Sequence, residues 1–151
     1  MTEAPDPVAL SLPPLVLSLA ADLVRRIDDG VRRRGFADLR PAHGYAFVRL
    51  APDGATVGEL AEHLDVTKQA ASQLVEELVR KGYVERHPHP ADARARLIVL
   101  TERGRACTRA AEEAAADAVR PWQAELGPAR LRELRDGLAR LAPSGRLRPL
   151  W

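Results

Sequence analysis

The chain has 151 residues, 46% of them hydrophobic and 4% aromatic, with a formal net charge of +2. That length suits one compact domain, or a small domain with dimerising arms, whose core must be built mostly from Leu, Val and Ala. So slight a charge excess does not by itself require a polyanionic partner, and the single Cys107 excludes an internal disulfide framework and fits a reducing compartment.

Residues 1–11 carry prolines and acids and read as a flexible tail. No basic-then-apolar leader opens the chain, so a cytoplasmic protein is expected. Leu10–Leu23 is apolar, but Pro13, Pro14 and Asp22 interrupt it, and it reads as too short to span a bilayer. After Pro14, the apolar residues Val16, Leu19, Leu23, Ile27 and Val31 recur at helical spacing, and Gly35 is a natural stop. Pro41 suits the first turn of a short helix through Tyr45, Phe47, Val48 and Leu50. Pro52-Asp53-Gly54 signals a turn.

Thr56 and Glu59 have the spacing of a capping box, which starts the next helix. Val57, Leu60, Ala61 and Leu64 supply its inner face, and Asp65-Val66 forms a corner. Thr67 caps a second helix running to about Lys81, with Ala70, Ala71, Leu74, Val75 and Leu78 expected inward and Gly82 closing it. Tyr83–His87 and Arg96–Leu100 read as short strands around HPHPADARA. Thr101 caps a long helix through Ala106–Val119, which Pro121 kinks or breaks. Gly127-Pro128 opens a last helix with Leu131, Leu134, Leu138 and Leu141 on one side, and Pro143 stops it.

Two short helices joined at a tight corner and followed by a hairpin describe a winged helix-turn-helix. The fold is therefore expected to be mostly α with a small β-hairpin wing. In such a domain the second helix lies in the DNA major groove with its N-terminal residues toward the base edges. An outward face of Lys68, Gln69, Ser72 and Gln73 behind Thr67 fits that demand, since Gln pairs with adenine and Lys donates to guanine or phosphate. From Thr67 to Arg105, eight basic side chains face five acidic ones. Glu76 and Glu77 would sit beyond the DNA edge, with Glu77 able to pair with Lys81. His87 and His89 with Asp92 make a poor metal set, because two prolines constrain the loop and no further ligand completes a tetrahedron. Pro88 and Pro90 instead stiffen the hairpin, leaving His87 or His89 to meet a phosphate. No cofactor, metal, or nucleophile–base set is expected, and so no enzyme.

The runs TVGELAEHLDVTKQAASQLVEELVRKGYVER and DARARLIVLTERGR resemble the winged-helix core of MarR-type transcriptional regulators. The pieces LPPLVLSLAADLVRRI and GFADLRPAHGYAFVRL and the C-terminal helices follow in the same order. The resemblance divides the chain into a dimerisation helix and loop at 12–40, a DNA-binding domain at 41–100 and dimerisation helices at 101–151. It implies that Arg94 enters the minor groove with Asp92 orienting it, and that Arg96 meets phosphate. Ala93 departs from the commoner Asp-Arg-Arg form. It further implies a homodimer joined through Val16, Leu19, Leu23, Ile27, Leu131, Leu134, Leu138 and Leu141. A small aromatic or lipophilic effector would bind near Leu19, Leu23, His43, Tyr45 and Phe47. The expected function is a homodimeric repressor, relieved by that effector, on a pseudo-palindromic DNA operator. The competing reading is a winged-helix protein-interaction module without DNA binding. Cys107 reads as a packed thiol rather than an oxidant sensor.

Overall fold

The computed structural model describes residues 6–92 and 94–142. Helix α1 spans Pro7–Arg33, α2 Pro41–Leu50, α3 Val57–Leu64 and α4 Lys68–Arg80; strands β1 (Val84–Pro88) and β2 (Arg96–Leu100) follow, and α5 runs Glu102–Leu141. This is the expected, mostly helical winged architecture.

Residues 7–11 correct the expected tail, because they are helical. Asp6 caps α1 by accepting the Val8 N–H at 2.9 Å, and Pro7 takes the first helical position, where a missing N–H costs nothing. Pro13 and Pro14 lie inside the helix. They remove the donors for the carbonyls of Ala9 and Leu10, but both residues are exposed, so water can serve those oxygens. The continuous helix also removes the interruption on which a membrane span was discounted: by length and composition α1 is apolar enough to cross one.

Three helices end on the same chemistry. Gly35, Asp65 and Gly82 have φ of +97°, +55° and +75°. After each, the chain donates back into the last turn: Phe36 N–H to Val31 at 3.3 Å, Val66 to Ala61 at 3.0 Å and Tyr83 to Leu78 at 2.9 Å. This left-handed closure satisfies carbonyls the helix leaves open. The starts follow the sequence too. Thr56 accepts the Glu59 N–H while Glu59 accepts the Thr56 N–H, and the hydroxyls of Thr67 and Thr101 accept the amides of Ala70 and Gly104.

β1 and β2 pair antiparallel, Val84 opposite Leu100 and Pro88 opposite Arg96. The far edge of β2 is also used: Ala55 and Ile98 exchange both backbone hydrogen bonds, at 3.0 and 2.8 Å. The wing is thereby stitched to the loop before α3. Leu50, Leu60, Val75, Leu78, Tyr83 and Ile98 form the fully buried centre beneath it. Each such aliphatic chain contributes about 2–3 kcal/mol by leaving water. Tyr83 packs its ring between Phe36 and Phe47, with centroids 6.2 and 5.7 Å away.

α1 crosses α5 on small residues. A Cβ on Gly30 would stand 2.6 Å from that of Ala114. Arg34 locks the crossing by donating to Glu113 at 3.0 Å and Asp117 at 2.7 Å. Within α5, Pro121 is tolerated and Gly127 is not helical (φ 72°, ψ 166°), so the expected break falls at the glycine. The Pro143 stop lies outside the described residues.

Candidate nucleic-acid interface

α3 and α4 meet at the left-handed Asp65, which turns the chain within three residues. Ala71, Val75 and Leu78 point into the core at helical spacing. Ala70 corrects the expected inner face, since it is exposed; one residue before Ala71, it sits about 100° round the helix from the buried row. Lys68, Gln69 and Gln73 are exposed and Ser72 is half-buried. None of these four side chains has a hydrogen-bond partner among the described residues. Thr67 spends its hydroxyl on the cap, 3.1 Å from the Ala70 nitrogen. The outward face thus offers one cation, two amides and a small alanine surface.

The wing presents Arg86, Arg94 and Arg96, all exposed. Among the described residues, Asp92 makes no hydrogen bond or ion pair with the Arg94 guanidinium. Its carboxylate accepts the Arg94 backbone N–H at 2.9 Å, and its carbonyl accepts from Ala95 at 3.1 Å, so it shapes the turn instead. Ala93 lies outside the described residues. His87 Nε2 is 2.9 Å from Glu85, and His89 Nδ1 accepts the Ala91 N–H at 3.1 Å, so both imidazoles serve the hairpin.

Behind the interface, Glu77 on α4 is a hub that sequence spacing only half revealed. It takes Lys81 at 2.7 Å as expected, but also Arg40 at 2.5 Å, with His43 Nε2 at 3.4 Å. The Lys81 ammonium holds the Glu77 carboxyl at about 2, helped by His43 and Arg40 against partial burial. Arg49 ties α2 to the next loop through the Gly54 carbonyl at 2.9 Å and Glu59 at 3.1 Å.

A cavity of about 210 Å³ opens between α1, α2 and α5. Tyr45 and Phe47 line it, with Val24, Ile27, Leu39 and Cys107. Leu19, Leu23 and His43 do not line it. Leu19 lies too far toward the free end of α1 and is 45% exposed; His43 is turned the other way, into the seam with α4. Burial pushes the Cys107 thiol up to about 11. Among the expected association residues, Val16, Leu19, Leu134, Leu138 and Leu141 are exposed, Leu23 and Leu131 are half-buried, and Ile27 packs on the intrachain core. Val8, Leu10, Leu12, Leu15 and Leu17 extend the exposed apolar surface beyond what was anticipated.

Helix pair, exposed second helix and basic hairpin together define a winged helix-turn-helix protein. Residues 38–95 match the model of the MarR family, so that segment is similar to the winged-helix core of MarR-type proteins. RV1404 from Mycobacterium tuberculosis is similar over 95% of this chain and 100% of its own, with 23% identity and a TM-score of 0.74. Apo MarR from E. coli is similar over 87% and 97%, with 23% identity and a TM-score of 0.69. A mutant of S. aureus MepR bound to an oligodeoxyribonucleotide is similar over 87% and 95%, with 19% identity and a TM-score of 0.62. At these identities the likeness is one of fold. No curated protein sequence matches the chain.

Proposed function

We propose that the protein is a cytoplasmic, sequence-specific DNA-binding regulator that acts as a homodimeric repressor. The observation that carries this reading is the unpartnered face of Lys68, Gln69, Ser72 and Gln73 at the start of α4, flanked by the exposed wing arginines. Lys68 and Arg96 serve phosphate, the glutamines read base edges in the major groove, and Arg94 enters the minor groove, whose negative potential attracts guanidinium. The MepR mutant, of the same fold, is bound to an oligodeoxyribonucleotide.

Homodimerisation is supported by apolar surface that one chain leaves uncovered. Val8, Leu12, Val16 and Leu19 of α1 and Leu134, Leu138 and Leu141 of α5 are all exposed. A two-fold pairing through these helices presents two α4 helices to one pseudo-palindrome. Relief by an effector is supported by the apolar cavity. Arg40 and Asp28 line it, but each already has an opposite charge, in Glu77 and Arg32. That leaves a neutral, lipophilic molecule as the fitting occupant.

Selection of bound sites from random duplexes tests the reading. An inverted repeat, bound with steep salt dependence, is the expected result. No enriched duplex, or enrichment indifferent to salt, would sink it in favour of a protein-interaction module. For the effector, Ala111→Met should fill the cavity and remove any thermal stabilisation by a neutral aromatic such as naphthalene.

A further inference from the structure

His43 occupies the third position of α2, where a capping box ordinarily carries Glu or Gln. Its Nδ1 accepts the Arg40 backbone N–H at 3.0 Å. The single ring proton of the neutral imidazole therefore sits on Nε2, toward Glu77 Oε2 at 3.4 Å. The side chain is wholly buried. The charged groups facing it are Glu77 on α4, Lys81 at the C-terminal cap of α4 and Arg40 at the start of α2. Lys81 donates in turn to Glu77 and to the Asp38 carbonyl, at 2.7 and 2.5 Å. The recognition helix is thus fastened to residues 38–43 around one carboxylate and one imidazole.

We infer that His43 is a positioning residue for DNA recognition: while neutral it seats the start of α2 and, through Glu77, the α4 helix, and a second proton on its ring unseats both. This rests on the DNA-binding reading above. The second proton must go to Nδ1, where the Arg40 N–H already points. Two donors cannot share that space, so the bond breaks, and no water reaches the buried ring to replace it. Burial, with Arg40 and Lys81, lowers the affinity of His43 for that proton below the ordinary 6.5, while Glu77 opposes the shift. A depressed imidazole contributes fully above its unfolded value and loses its contribution as pH falls below it. The seat is therefore firm at neutral pH and weakens in mild acid, while Glu77 stays ionised.

The test uses a duplex recovered from a random-sequence pool, with the full chain as wild type, His43→Gln and His43→Leu, from pH 8.0 to 5.0. His43→Gln keeps an acceptor for the Arg40 N–H but cannot titrate; His43→Leu has none. Wild-type affinity should fall in acid by up to about tenfold per pH unit per protomer relative to the Gln variant. The Leu variant should be weakened at every pH. His63, His87 and His89 are present in all three proteins, so any contribution they make cancels in the comparison. Amide exchange of Arg40 and of α4 is followed in parallel without DNA. Protection should drop in acid in wild type and not in His43→Gln. Parallel pH profiles for wild type and His43→Gln overturn the inference. If no duplex binds, the DNA reading fails, and the exchange comparison alone decides whether His43 seats α4.

Discussion

Gly104 passes directly beneath the carbonyl of Tyr83: a Cβ there would collide with that oxygen and press to 3.1 Å from Leu100 Cδ2. The same oxygen accepts the Thr101 N–H at 3.0 Å, so it cannot retreat without opening the junction of wing and α5. Gly104→Ala should therefore cost about 3 kcal/mol, the upper end for overpacking. Gly137→Ala, at a helical position with nothing within 4 Å, should instead gain about 1 kcal/mol from helix propensity. Urea unfolding of both variants decides; equal effects would mean that helix propensity, not the close approach, governs these sites.

Acid should loosen the α2–α4 seam at a second point well below the His43 range. The Glu77 carboxyl is held at about 2 against an ordinary 4.5. Its contribution is complete above 4.5 and disappears as pH falls toward 2. Removing it should cost about 2 kcal/mol after allowance for its partial exposure. Glu77→Gln should be less stable at pH 7 and show a shallower loss between pH 4.5 and 2. Parallel unfolding curves would show that the hub contributes nothing.

Arg94→Ala should weaken binding to a selected duplex about tenfold and lower the salt slope by about one, with the sedimentation coefficient unchanged. Gln69→Ala and Gln73→Ala should act differently, relaxing base preference at particular positions by about 1–3 kcal/mol. A uniform loss on all sequences from the glutamine variants would reduce α4 to backbone contact.

Leu138→Glu places a charge on exposed apolar surface that touches none of the winged core. The expected outcome is a folded monomer by sedimentation, with an unaltered helical circular dichroism signal. A dimer of wild-type strength would move the association surface off α5.

Much of this fold is legible because local rules and tertiary demands agree. The Thr56–Glu59 box, the Thr67 and Thr101 caps and the glycines at 35 and 82 each depend on a few neighbouring residues. What escaped depends on groups distant in sequence. Nothing near His43 announces Glu77, thirty-odd positions on, and an alternating strand pattern cannot reveal that Ala55 takes the second edge of β2. The start of α1 misled for another reason. Prolines break helices when a buried carbonyl loses its donor, and those of Ala9 and Leu10 face water. In the candidate interface, residue types on α4 were readable from periodicity, with Ala70 misplaced by one step of rotation. The turn-forming bond of Asp92 was not readable because a turn-forming carboxylate and a guanidinium partner look alike in sequence.

The pairing of Ala55 with Ile98 has a mechanical consequence. β2 is held on both edges, by β1 and by the loop that launches α3, so hairpin and helix pair are two jaws of one rigid caliper. The gap between them is set by the protein before any duplex arrives. In the DNA-binding reading, the duplex must supply the matching groove-to-groove spacing. Sequences that are easily narrowed or bent to that gauge are then favoured, even at base pairs no side chain reaches.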